Sequence, residues 1–229
     1  ELYNLRTGTW LPDNSRRQRH VGLAIAYSAW QYYQATADLS FLIHIGAELM
    51  VEVTRLFVSM ATYDASSQRF DIAGVMGPDE FHDGYPDTPG QGVRNNAYTN
   101  VMLAWLITAT IEATDLLAGS DCGPAWDRIA LRPGERDNWD HIRHRLRVPF
   151  HDDGVISQFE GYERLAEFDW DAYRARYGDI GRLDLILAAE GDNPNRYRLS
   201  KQADVLMLLY LLSAEELRAV LDRLGYLLP

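Results

Sequence analysis

Two residue types are nearly missing from the chain, and each shortage excludes something. Cys122 is the only cysteine among 229 residues, so neither an intrachain disulfide nor a cysteine-built zinc cage can form. Lys201 is the only lysine; every other one of the 22 basic residues is arginine. Positive charge is itself in the minority, 33 acidic residues leaving a net charge of -11, and such a surface attracts neither nucleic acid nor an anionic membrane. A small ligand is the partner class that remains. No signal peptide or membrane-length apolar run is visible, which predicts a cytoplasmic protein. Of the six histidines, His141 and His144 share a helical face, but arginines surround them and no acidic third ligand is evident. The GQG at 90–92 lies in a Pro-rich loop and matches no phosphate-cradling fingerprint. No metal and no cofactor is expected.

What is present is helical periodicity. With 47% apolar residues the chain can bury a substantial core. After an irregular approach segment, Glu1 to Arg19, a helix is predicted from His20 to Ala37. A second carries the apolar stripe Phe41, Ile45, Leu49, Val53, Leu56 and Met60, and the short link between them makes an antiparallel hairpin. Ala97 to Leu117 predicts a third helix, uncharged from Val101 to Ile111 and therefore buried on most sides, with Asn95 and Asn96 as caps and Gly119 as its stop. Asp121 to Pro133 reads as loop. Glu135 to Arg147 follows as a charged helix with Trp139, Ile142 and Leu146 on its inner face. Arg182 to Glu190, Ser200 to Leu212 and Ala214 to Leu224 complete the set, Ser213 capping the last. Arg69 to Val75 and Val155 to Phe159 are β-prone. The recurrent hairpins predict an all-α toroid or solenoid with functional loops at one rim.

The stretch Gly77 to Asn100, GPDEFHDGYPDTPGQGVRNNAYTN, is the part built for chemistry. Its Gly and Pro content makes it a loop, pinned at the mouth of the buried third helix, and Glu80 is its best acid candidate. Four blocks occur in order: GPDEFH, NNAYTN, VISQFEGY at 155–162 and KQADVL at 201–206. Together with HVGLAIAYSAWQYYQATAD at 20–38, they resemble glycoside hydrolase family 65.

The resemblance implies a partial (α/α)6 barrel with short β segments in its rim loops, and inverting phosphorolysis of α-glucosyl disaccharides of the maltose, trehalose or kojibiose type, with phosphate as co-substrate. Glu80 matches the family's general acid, and burial beside Phe81 with the charge of Asp79 nearby is expected to raise its pKa. Lys201 and Gln202 match the family's sugar-binding Lys-Gln pair. His82, Asn96 and Gln158, with Tyr162, are weaker candidates for ordering sugar hydroxyls. An α-glucoside hydrolase of the same family would need a second carboxylate, for which Glu160 and Asp152 are the candidates. A third reading is a catalytically silent part-barrel used for binding or assembly, in which exposed apolar helix faces favour homo-oligomers. The family's upstream sugar-binding segment and downstream phosphate loop are not found in 1–229, and Arg94 stands where several family phosphorylases carry an acid.

Overall fold

A computed structural model describes residues 2–119 and 122–226. The fold is mostly helical, with three two-stranded antiparallel sheets, one ahead of the first helix and two between helices. The predicted approach segment is less irregular than expected: β1 (Leu2–Asn4) pairs with β2 (Thr9–Leu11), and Tyr3 stacks edge-on against Trp10 across the hairpin. Glu1 lies outside the described residues.

Helix α1 (His20–Thr36) ends as predicted, with Ala37 in the left-handed conformation. Asp38 then caps a short α2 (Leu39–Phe41), which runs through a π turn at Leu42–Gly46 into α3 (Ala47–Met60). Strands β3 (Thr62–Asp64) and β4 (Arg69–Asp71) form a second hairpin, so the predicted strand at 69–75 is divided: its latter half is β5 (Ala73–Val75), paired with β6 (Val93–Arg94).

Helix α4 (Ala97–Ala118) is the centre of the molecule, in contact with α1, α3 and the later helices. Its N-terminus is fixed by Asn96, whose side chain accepts from the backbone N–H of Thr99 at 2.9 Å. Met102, Leu103, Leu106 and Ile107 are all fully buried on it, each contributing about 1.5–3 kcal/mol relative to exposure. Thr54 and Thr110 enter this core as polar side chains and pair with one another at 3.0 Å. The expectation that no apolar run reaches membrane length is corrected here. Residues Ala97–Ala118 have that length and hydropathy, but 67% of the most apolar window is buried inside the fold, which makes α4 a core helix.

Beyond α4 lies α5 (Gly123–Ile129), in the stretch predicted as loop; Pro124 sits in its first turn, where a missing N–H costs nothing. Asp121, the start of that predicted loop, is outside the described residues. α6 (Glu135–Arg143) buries Trp139 and Ile142 as predicted. Val155 to Phe159 forms no strand; only Ile156 makes an isolated bridge, to Phe150. α7 (Trp170–Tyr177), α8 (Leu183–Ala189), α9 (Asp204–Leu211) and α10 (Ala214–Arg223) follow, and the last begins with a reciprocal capping box between Ser213 and Glu216. α9 starts four residues later than predicted, which puts Lys201 and Gln202 on the bend before it.

Candidate active site

The loop carrying Glu80 leaves from β5 and returns through β6, so its base is closed by a β-ladder. Gly92 makes this closure possible. Its φ is +82°, and a Cβ there would come within 2.3 Å of the backbone of Gly74. The loop is then tied from three directions. Asp83 accepts from the N–H of Gly90, from Asn14 Nδ2 and from Asn195 Nδ2, at 3.0, 2.7 and 2.8 Å. Arg17 donates to the carbonyls of Gly90 and Gly74. His20 donates from Nδ1 to the carbonyl of Met76 at 3.1 Å, and burial holds this imidazole below its usual pKa. A segment of this composition is ordered because its polar groups bond to one another and to neighbours on both sides.

Glu80 stands where two clefts meet. One, of about 330 Å³, is walled by Phe81, Arg182, Asp184, Asp192, Asn195 and Lys201; the other, of about 360 Å³, by Pro12, Asn14, Ser15, Gln18 and Met76. Glu80 and Asp83 border both. Lys201 Nζ lies 2.5 Å from Glu80 Oε2, and the two side chains are 43% and 47% exposed. The desolvated setting expected for Glu80 is therefore not found. Phe81 packs away from it, against the small cluster of Phe168, Leu183, Leu187 and Leu199, and Asp79 turns inward.

Desolvation falls instead on the pair beneath. Asp79 and Asp204 are each only 1% exposed. The Asp79 carboxylate accepts from the backbone N–H groups of Phe81 and Lys201 and from Gln158 Nε2, and it lies 2.7 Å from His82 Nδ1. His82 Nε2 faces the carbonyl of Tyr197 at 3.1 Å. Asp204 accepts from the N–H of Asp79 and from Asn96 Nδ2, both at 2.6 Å. Burial, then the charge of Asp79, push the Asp204 carboxyl up to about 7 against the opposing bond from Asn96.

Of the residues singled out in the sequence, Glu80 and Lys201 are thus brought together facing the cleft. His82, Asn96 and Gln158 are brought together one layer deeper, where their polar atoms hold the Asp79–Asp204 pair. Gln202 is half-buried beside them, with its Oε1 unpaired among the described residues. Tyr162 packs edge-on to His82.

Glu160 bonds to Asn95 Nδ2 at 2.7 Å, Asp152 is exposed, and neither borders the two clefts. Arg94 pairs with Asp71 at 2.5 Å in a separate cluster with Arg147 and Asn95. Burial pushes the Asp71 carboxyl up, but these bonds outweigh it and leave its pKa lowered. Sequence reasoning missed Asp204 and the cleft walls at Arg182, Asp184 and Asp192. For Asp204 a signal existed, as the sole acid in the apolar run 203–212.

Comparison with known proteins shows the family of the chain. A model of the glycosyl hydrolase family 65 central catalytic domain matches residues 1–223. An uncharacterized glycosyl hydrolase of Mycobacterium tuberculosis is 57% identical over 97% of this chain, which covers 17% of that protein. The trehalose 6-phosphate phosphorylase of Lactococcus lactis is 41% identical over 99% of the chain and 28% of its own length. The kojibiose phosphorylase of Halothermothrix orenii is 33% identical over 86% and 24%. Among solved structures, one described provisionally as a kojibiose phosphorylase from the human microbiome shares the fold with a TM-score of 0.64 at 20% identity, over 87% of this chain and 25% of that one. The chain thus spans less than a third of the length of these relatives, and within that span it belongs to the glycosyl hydrolase family 65 central catalytic domain.

Proposed function

We propose that this chain carries the acid half of an inverting disaccharide phosphorylase, on helices that form part of an (α/α)6 barrel. The observation that carries the reading is the place of Glu80: a carboxyl on a tied-down loop, at the junction of two clefts, in a chain whose named relatives include phosphorylases of trehalose 6-phosphate and kojibiose. A junction of this kind suits a glycosidic bond whose two sugars lie on either side of the acid.

In the proposed reaction Glu80 gives its proton to the glycosidic oxygen as the bond to the anomeric carbon breaks. Phosphate attacks that carbon from the opposite face, so an α-glucoside yields β-glucose 1-phosphate and the freed second sugar. The nucleophile is the phosphate, and no second protein carboxylate is required. An ion-paired carboxylate must take up a proton before it can donate one. The contact between Lys201 and Glu80 therefore has to open in each cycle, and sugar hydroxyls accepting from the Lys201 ammonium supply the competing partner.

Incubation with trehalose, trehalose 6-phosphate, maltose, kojibiose and nigerose, with and without phosphate, tests this reading by NMR. Phosphate-dependent β-glucose 1-phosphate is the expected product. Free glucose formed without phosphate would replace the phosphorylase by the hydrolase, with Asp184 or Asp192 as the second carboxylate to examine. Silence on every sugar would leave the binding or assembly role.

A further inference from the structure

The acid loop and the bend before α9 hold each other by their carboxylates. Asp79 Oδ1 accepts from the backbone N–H of Lys201 at 2.9 Å, and Asp204 Oδ1 accepts from the backbone N–H of Asp79 at 2.6 Å. The two bonds run in opposite directions between the same two segments and form a reciprocal clasp, with Lys201 and Glu80 meeting at its outer end. The clasp is anchored to the centre of the molecule. Asp204 Oδ2 accepts from Asn96 Nδ2, while Asn96 Oδ1 caps α4. It is also closed to anything larger than glycine at 77, where a Cβ would lie 1.9 Å from Asp204 Oδ2 and 2.4 Å from Asn96 Nδ2.

We infer that Asp204 is a positioning residue for Glu80: by accepting the amide proton of Asp79, its carboxylate fixes the Asp79–Glu80 backbone against the Lys201 bend. The inference deepens the phosphorylase reading and rests on it for the turnover it predicts. Packing alone does not account for Asp204. Two buried acids in one network repel, and an uncharged residue of the same shape fills such a site at lower cost. What a charge adds is acceptor strength, a bond to an ionised acceptor being roughly twice as strong as a neutral one.

The titratable and charged groups facing Asp204 are Asp79 and His82 from the acid loop, Tyr98 from α4 and Tyr162 from the 157–165 segment. Among these Asp204 is the group that burial, then the charge of Asp79, bring to about 7. When it is ionised, both oxygens accept and both donors are satisfied. When it is neutral, a proton occupies one of the two oxygens that face N–H groups, and one side of the grip weakens. The hold on Glu80 therefore tightens as pH rises through neutrality, opposite in sign to the activity lost when an acid catalyst deprotonates.

The test follows the backbone amide resonances of Asp79 and Glu80 by NMR from pH 5 to pH 9, in the wild-type chain and in Asp204→Asn, alongside kcat and KM for phosphorolysis. We expect both amides to titrate together with a midpoint near pH 7 in the wild type and to be flat across that window in the variant. kcat should rise roughly tenfold from pH 6 to pH 8 before any basic limb, following the ionised fraction of such a group. In Asp204→Asn the acidic limb should vanish, with little change in KM. If the Asp79 amide titrates and that of Glu80 does not, Asp204 merely supports α9 and the inference is overturned, whatever the turnover. An Asp79 amide insensitive to pH overturns it as well. Titration of both amides without turnover of any sugar removes the phosphorylase reading and leaves the positioning role standing. The wild-type titration needs no variant, so failure of Asp204→Asn to fold does not block the test.

Discussion

Asp204 has a cost in stability that can be measured apart from catalysis. Its carboxyl lies near 7 in the folded chain, above the value of about 3.9 for an unfolded aspartate. Between these values the folded state keeps a proton that the unfolded state has released. The contribution of Asp204 to stability is therefore full below about pH 4 and lost as pH rises to about 7. Asp204→Asn cannot titrate, so the wild type should lose roughly 1–4 kcal/mol relative to it across that window, read from urea midpoints at pH 4.5 and 7.5. A difference between the two proteins that stays constant with pH would contradict the assignment. At this scale the sequence was half legible. Glu80 and Lys201 announced themselves by a motif and by the rarity of lysine. The buried role of Asp204, and the turning of Asp79 away from Glu80, depend on contacts more than a hundred residues apart that no local pattern encodes.

At the scale of the element, the acid loop is a closed structure in which each end is fixed by a different device. The β5–β6 ladder holds its base, Asp83 its far side, and the clasp to the 200–204 bend its acid. Gly77→Ala should break the last of these alone. The added methyl must displace the Asp204 or the Asn96 side chain, at roughly 1–3 kcal/mol of overpacking, with turnover falling more than the stability loss explains. Urea denaturation and kcat measured on the same samples would show this. An alanine variant with wild-type stability and rate would mean that the close approach at 77 has no consequence.

Helix α3 was legible from its regular apolar stripe, α1 and α4 from long apolar runs, and α10 from the Ser213 cap. α5 was not, because Gly123 and Pro124 read as breakers although both serve at a helix start. The Val155–Phe159 run was misread for a related reason: β-propensity makes a strand only where a partner edge exists, and here Ile156 alone finds one.

The whole molecule has one long buried helix at its centre and unevenly covered helices around it. α4 is packed on nearly every side, whereas α9 exposes Leu206, Leu209 and Tyr210, the last at 88%, and α1 exposes Val21 and Ile25. The two helices are linked where Tyr27 donates to the carbonyl of Leu211, so these residues lie on neighbouring elements. Apolar surface of this extent favours association, and light scattering on the chain alone should show species larger than a monomer, reduced by Leu209→Gln with Tyr210→Ser. A monodisperse monomer at every concentration would contradict that expectation. The mostly helical character followed from hairpin recurrence; the uneven cover could not be foreseen, because periodicity marks which face is apolar and not what lies against it.

Glu80 is the proposed proton donor. Its most direct test is phosphorolysis by wild type and Glu80→Gln side by side, with thermal midpoint and sugar binding measured on both. The glutamine keeps the shape and loses the proton, so turnover should fall by roughly 10²–10⁴-fold while folding and sugar binding are retained. Turnover close to wild type in Glu80→Gln would show that the proton comes from elsewhere.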